Sequence, residues 1–226
     1  MNDQTDQQQP NPEVEAAAEQ AVDLGGDIKS AVRDITVQAL SKGKLETTQI
    51  RGVVSAVVAG VTRSAETAPG DRSSGSLREA LSGLDEALAS SAQASRLAIE
   101  EAAAQVGSLG SNEFKRALDD LGALEGLFLS TVKEVAGSTE TRLKQTLTDF
   151  VEHAKISGTA VGKAAAESTS QLSKQLGGLV LEAASEGADV ALRVGAQLSE
   201  VAAGMLEGIS DSLKARSEKG KDNSDN

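Results

Sequence analysis

Leu143–Leu213 reads LKQTLTDFVEHAKISGTAVGKAAAESTSQLSKQLGGLVLEAASEGADVALRVGAQLSEVAAGMLEGISDSL, and its periodicity decides the fold. Taken in steps of eleven, Leu143, Ala154, Ala165, Leu176, Gly187, Leu198 and Ile209 fall in one column. Leu147, Gly158, Thr169, Val180, Ala191, Ala202 and Leu213 fall in a second, and Phe150, Val161, Leu172, Ala183, Val194 and Met205 in a third. Eleven residues make three turns at about 3.67 residues per turn, so the columns form one stripe that scarcely drifts around the helix. No proline interrupts the run, and one continuous amphipathic helix is expected. At about 1.5 Å per residue, its roughly 70 residues span about 105 Å. Such a rod cannot bury its stripe against a compact domain of its own. It needs another helix, a second copy of the chain or an apolar surface. The interaction surface it offers is Leu143, Leu147, Phe150, Val161, Leu172, Leu176, Val180, Val194, Leu198, Met205, Ile209 and Leu213.

The glycines of this rod oppose its periodicity. Gly158, Gly162, Gly177, Gly178, Gly187, Gly195, Gly204 and Gly208 all fall inside it. Each costs about 1 kcal/mol relative to alanine in a helix interior, roughly 8 kcal/mol together, which rivals the stability of a whole domain. An isolated rod is therefore expected to be only partly helical. Close helix packing at small residues, or folding on contact with an apolar surface, can compensate.

Outside the rod, composition points the same way. The 226 residues hold three aromatics, Phe114, Phe128 and Phe150, and no Trp, Tyr or Cys. Without large rings, Ala, Val and Leu are left to build thin helix-on-helix seams. A formal charge of −12 opposes binding to nucleic acid or anionic lipid through a general field. The polar, acidic start lacks the features of a signal peptide. The longest strongly apolar run, Val53–Val61, is too short to span a bilayer. The expectation is a cytoplasmic protein with no transmembrane segment, no nucleic-acid partner and no cofactor.

In chain order, residues 1–11 read as a disordered tail. Residues 12–67 form N-terminal helices. The first is opened by Asn11-Pro12-Glu13 and stopped by Gly25-Gly26, and the second is capped by Asp27. A third is striped by Ile50, Val54, Val57 and Val61, with Gly52, Ala56 and Gly60 at the four-residue spacing that lets helix backbones approach. Residues 68–75, rich in Pro, Gly and Ser, read as a linker that separates this region from the rest. Residues 76–136 read as an antiparallel helical hairpin. The Ser76–Glu79 capping box opens its first helix, and its core is Leu77, Leu81, Leu84, Leu88, Ile99, Leu121, Leu124, Phe128 and Val132. Gly137-Ser138 marks a break or bend. Residues 137–216 then form the long amphipathic helix, and 217–226 fray. The fold class is thus all-α: an elongated helical hairpin or bundle with a C-terminal amphipathic helix of eleven-residue periodicity.

Residues that could carry chemistry are few. His153, with Asp149 one turn before it, supplies two metal ligands at most, whereas a catalytic zinc site takes three from the protein. Gly158–Ala164 (GTAVGKA) looks like a phosphate-binding loop. It is one residue short between the glycines, lacks the Ser or Thr after the lysine, and has no preceding strand. Both glycines fit the helix repeat instead. The carboxylates of the rod read as its solvated face. No constellation of nucleophile, base and orienting group is present, so no enzyme is expected.

At Arg78–Ala104 the sequence reads REALSGLDEALASSAQASRLAIEEAAA, and at Phe114–Ala136 FKRALDDLGALEGLFLSTVKEVA. These stretches, with DIKSAVRDITVQAL and SGTAVGKAA, resemble an uncharacterised family of small bacterial all-helical proteins, to which no catalytic motif is attached. A looser resemblance, of pattern and composition only, is to phasins and apolipoproteins. It implies an amphipathic-helix coat for granules or lipid, although the Phe- and Asn-rich segments usual in phasins are absent. The expected function is non-enzymatic: self-association as a homo-oligomer, or coating of an apolar surface such as a granule or lipid body. The alternative is a structural or stress-related bundle-forming protein that binds neither.

Overall fold

Asn11 and Asp27 open the first two helices through the capping chemistry their positions imply. In the computed structural model, which describes residues 11–42, 47–67, 71–106, 111–139 and 141–182, α1 (Pro12–Leu24) starts where the Asn11 side chain accepts a hydrogen bond from the Val14 N–H at 3.3 Å. It stops at Gly25 and Gly26, at φ of 68° and 83°, a conformation glycine adopts without strain. α2 (Ile28–Ser41) is capped by Asp27, which accepts from the Ser30 N–H at 3.0 Å and the Ser30 hydroxyl at 2.7 Å. Those two bonds, the backbone one first, hold the Asp27 carboxyl below the usual aspartate range. Five further helices follow: α3 (Thr47–Thr67), α4 (Asp71–Val106), α5 (Ser111–Ser138), α6 (Thr141–Ser157) and α7 (Ala160–Glu182). The fold is all-α, with no strand among the described residues.

Two crossings with one geometry build the N-terminal half. α3 packs on α1, and α4 packs on α2. At the first crossing, Gly60 sits directly on the Glu15 carbonyl and the Glu19 N–H; at the second, Gly83 sits on the Lys29 carbonyl and the Arg33 N–H. Only a bare Cα fits there, which is how small residues let two helix backbones touch. Three residues further along each helix, a charge pairs with the partner. Arg63 meets Glu15 and Glu19, and Glu86 meets Lys29, with the signs reversed. These pairs are solvent-accessible and add little to stability. Their opposite polarity favours α1 with α3 and α2 with α4 over the swapped pairing.

The expected linker does not divide the chain. α3 runs to Thr67 and α4 begins at Asp71, so the Ser76–Glu79 box lies inside a helix instead of at its start. Ser73 is buried, and the Ser74 and Thr146 hydroxyls are hydrogen-bonded at 3.2 Å. Packing thus draws the Ser-rich stretch into α4 against its weak helix propensity. One core cluster then takes residues from all seven helices, from Val14 to Leu172. Leu77, Leu81, Leu84, Leu88, Ile99, Leu121, Leu124, Phe128 and Val132 are all buried in it. α4 and α5 touch each other less than either touches α7, which lies against both. The expected hairpin core is therefore completed by a third helix.

The expected single helix over 137–216 is also divided. α5 ends at Ser138, where the Ser138 and Thr139 hydroxyls both turn back to the Val135 carbonyl, at 3.0 and 2.8 Å. α6 stops at Ser157 and α7 restarts at Ala160. The remainder of the eleven-residue array, beyond Glu182, lies outside the described residues.

Candidate functional site

The first half of the expected interaction surface faces inward. Leu143, Leu147, Val161 and Leu172 are buried, and Phe150 is half-buried with its ring 5.9 Å from that of Phe128 at 74°, edge to face. These residues are therefore spent on the chain's own core, because α4 and α5 supply the apolar partner that a free rod lacks. Leu176 and Val180 belong to α7, with side chains outside the described set. Val194, Leu198, Met205, Ile209 and Leu213 lie outside it altogether.

The structural feature of this region is the elbow between α6 and α7. Gly158 is at φ +75°, which ends α6 and corrects its expected place in a helical column. Its N–H still reaches the Ala154 carbonyl at 2.8 Å, so the helix is intact up to that point. The next four N–H groups would donate to Lys155, Ile156, Ser157 and Gly158 in a continuous helix. Here each finds a side chain. Thr159 N–H donates to Glu125 Oε1 at 3.1 Å, Ala160 N–H to Asp85 Oδ2 at 2.7 Å, and Val161 N–H to Asp85 Oδ1 at 2.8 Å. Gly162 N–H donates to the Thr159 Oγ1 at 2.9 Å, which makes Thr159 the N-cap of α7. The Thr159 hydroxyl in turn donates to Glu125 Oε1 at 2.6 Å.

Two acids from α4 and α5 thus share the positive end of one helix. Burial raises the Asp85 carboxyl above the usual aspartate range; the Val161 and Ala160 N–H groups pull against that, while Glu125 and Glu86 add repulsion. The Glu125 carboxyl rests on the bare Cα of Gly162, where a Cβ would collide with it. Gly162 is therefore a contact residue as well as a helix residue. The N–H groups that resemble a phosphate loop in sequence are turned towards the chain's own carboxylates, in the manner of an internal anion site.

His153 is exposed on α6, and Ile156 nearby is 88% exposed. Among the described residues no group of three or more His, Cys, Asp or Glu side chains could hold a metal ion. No described helix is long and apolar enough to cross a membrane.

Asp85 and Glu125 are the residues that a reading of stripes passes over as solvated face. The signal was in the spacing. Leu77, Leu81 and Asp85 stand four apart, and Leu118, Leu121, Glu125 and Phe128 step by three and four. Each acid occupies an apolar-face slot of its helix, and a carboxylate in such a slot needs a buried donor.

A family of unknown function (DUF6781) matches residues 4–215, and the chain belongs to it. No curated protein matches the chain, nor does any solved structure.

Proposed function

We propose that this chain, a member of a family of unknown function, is a non-enzymatic amphipathic-helix protein that works by covering an apolar surface, such as a lipid body or polymer granule in the cytoplasm. One observation supports this most. Leu143, Leu147, Val161 and Leu172 are taken up by the core, whereas the same stripe runs on in sequence through Leu176, Val180, Val194, Leu198, Met205, Ile209 and Leu213. The second half of the stripe is the part that meets the surface, and burial of its apolar area drives the association at about 25 cal/mol per Å². The net charge of −12 suits a neutral surface better than an anionic one. Flotation of the purified protein with triolein droplets tests the reading. The parent should float and Val194→Asp should stay in the aqueous phase; a parent that sediments alone sinks it.

Self-association into helical bundles without lipid is the second reading. Gly187, Ala191 and Ala202 favour it, since they continue small residues into the later stripe, and Gly60 and Gly83 are the instances within this chain of small residues where helix backbones touch. Light scattering in the absence of droplets separates the two: this reading requires an oligomer that Val194→Asp dissociates.

A further inference from the structure

The outer face of α5 matches itself when turned end for end. Leu121, Leu124, Phe128 and Val132 bury one side of this helix. On the other side Asp119, Gly122, Gly126, Ser130 and Lys133 are exposed, and their steps of three and four put them on one face. Asp119 and Lys133 stand seven residues before and seven after Gly126, and Gly122 and Ser130 four before and four after. An antiparallel second copy centred on Gly126 therefore sets Asp119 of each chain against Lys133 of the other, and Gly122 against Ser130. Neither Asp119 nor Lys133 is ion-paired among the described residues.

The glycine crossings inside the chain are made of the same parts. Arg63 follows Gly60 by three and Glu86 follows Gly83 by three, and each pairs with the helix its glycine touches. On α5, Asp119 precedes Gly122 by three and Lys133 follows Ser130 by three. Glycine inside a helix costs stability. Contact with another backbone offsets that cost at Gly60 and Gly83, whereas a Cβ at Gly122 or Gly126 would meet nothing within 4 Å. The exposed charges of this region also balance, Lys115, Arg116 and Lys133 against Asp119, Asp120 and Glu134, in a chain whose formal charge is −12. Copies that repel through their net charge meet here with opposite charges facing.

We infer that this face of α5 is an interface between two copies of the chain, packed antiparallel about Gly126 with Asp119 of each against Lys133 of the other. Such a contact uses the same patch twice and closes at two chains. Gly122 and Gly126 let the backbones approach. The two charge pairs set direction and register more than they add affinity. The face is separate from the stripe of Leu143–Leu213, so the inference stands apart from both readings above.

Sedimentation equilibrium of the purified full chain at low salt tests it. The parent should have twice the single-chain mass of 23.1 kDa. Asp119→Lys and Lys133→Asp each set like charges against one another at both ends, and each should raise the dissociation constant at least about tenfold. The double variant Asp119→Lys/Lys133→Asp reverses both signs and should restore the dimer. Gly126→Ala should weaken the dimer while the single chain stays folded, because the new methyl meets no atom of its own chain within 4 Å. Circular dichroism of each variant checks the fold; if a single charge variant loses its helical signal, the double variant and Gly126→Ala decide. Val194→Asp should leave the dimer intact. A monomeric parent overturns the inference, as does a dimer unchanged in both single charge variants or one that the double variant fails to restore. A dimer lost in Val194→Asp and kept in the α5 variants overturns it too, and assigns self-association to the later stripe.

Discussion

Gly83 rests on the carbonyl of Lys29, so closely that a Cβ could not be placed there. Gly60 stands in the same relation to Glu15. The two contacts bring four helices into register with no aromatic residue at either crossing, a substitute for the large rings that α1 to α4 lack. A glycine in a helix is a liability by propensity and, at these crossings, a requirement by packing.

The sign of a Gly→Ala change should therefore depend on position. Gly83→Ala and Gly60→Ala should destabilise by about 1–3 kcal/mol, the usual cost of forcing atoms into a packed site. Gly122→Ala and Gly126→Ala, where a Cβ meets nothing within 4 Å, should stabilise by up to about 1 kcal/mol through helix propensity. Urea denaturation of the four variants gives the answer; a gain of stability in Gly83→Ala would show that the crossing can open at no cost.

Acid should act on Asp27 and Asp85 in opposite senses. The Asp27 carboxyl lies below its ordinary range in the folded chain, so its contribution is present above that range and lost as pH falls through the folded pKa. The Asp85 carboxyl lies above it. The folded chain takes up this proton before the unfolded chain does, so its effect on stability improves as pH falls through the folded pKa and worsens as pH rises through it. On acidification from neutral pH, the deficit of Asp27→Asn relative to the parent should shrink, while Asp85→Asn should lose ground. Urea titrations at stepped pH measure both; parallel curves would show that Asp85 is not desolvated.

Truncation in the shared core should be felt on both sides of the 68–75 stretch. Leu84 and Phe128 are fully buried; Leu84→Ala should cost about 2–5 kcal/mol and Phe128→Ala about 3–5 kcal/mol. Because one core joins all seven helices, amide exchange should quicken in α2 as well as in α4 and α7 for Leu84→Ala. Unchanged protection in α2 would mean that the N-terminal helices hold themselves together.

The two halves of the stripe should respond differently to a charge. Leu172 is fully buried, so Leu172→Asp should undock α7 and lower the unfolding midpoint, an unpaired buried charge being among the costliest changes. Val194→Asp should leave the midpoint alone and abolish droplet binding. Thermal melts and flotation on the same samples compare them, and a normal melt for Leu172→Asp would remove α7 from the core.

Local chemistry settled much of this architecture in advance. The period of the apolar residues, the caps at Asn11 and Asp27 and the stop at Gly25-Gly26 all act within one or two turns of chain, and they made the helices and most of the core legible in the sequence, while Gly137-Ser138 was legible only as a break or a bend. The elbow was not, because the partners that satisfy Thr159, Ala160 and Val161 come from residues 34 to 76 positions away. A continuous helix through Gly158 fits the eleven-residue period at the cost of one glycine, and the carboxylates of Asp85 and Glu125, brought in by the packing of α4 and α5, offer the N–H groups of Thr159, Ala160 and Val161 another acceptor. The start of α4 at Asp71 and the merging of the N-terminal helices into one core were decided in the same way, by burial against helices distant in sequence.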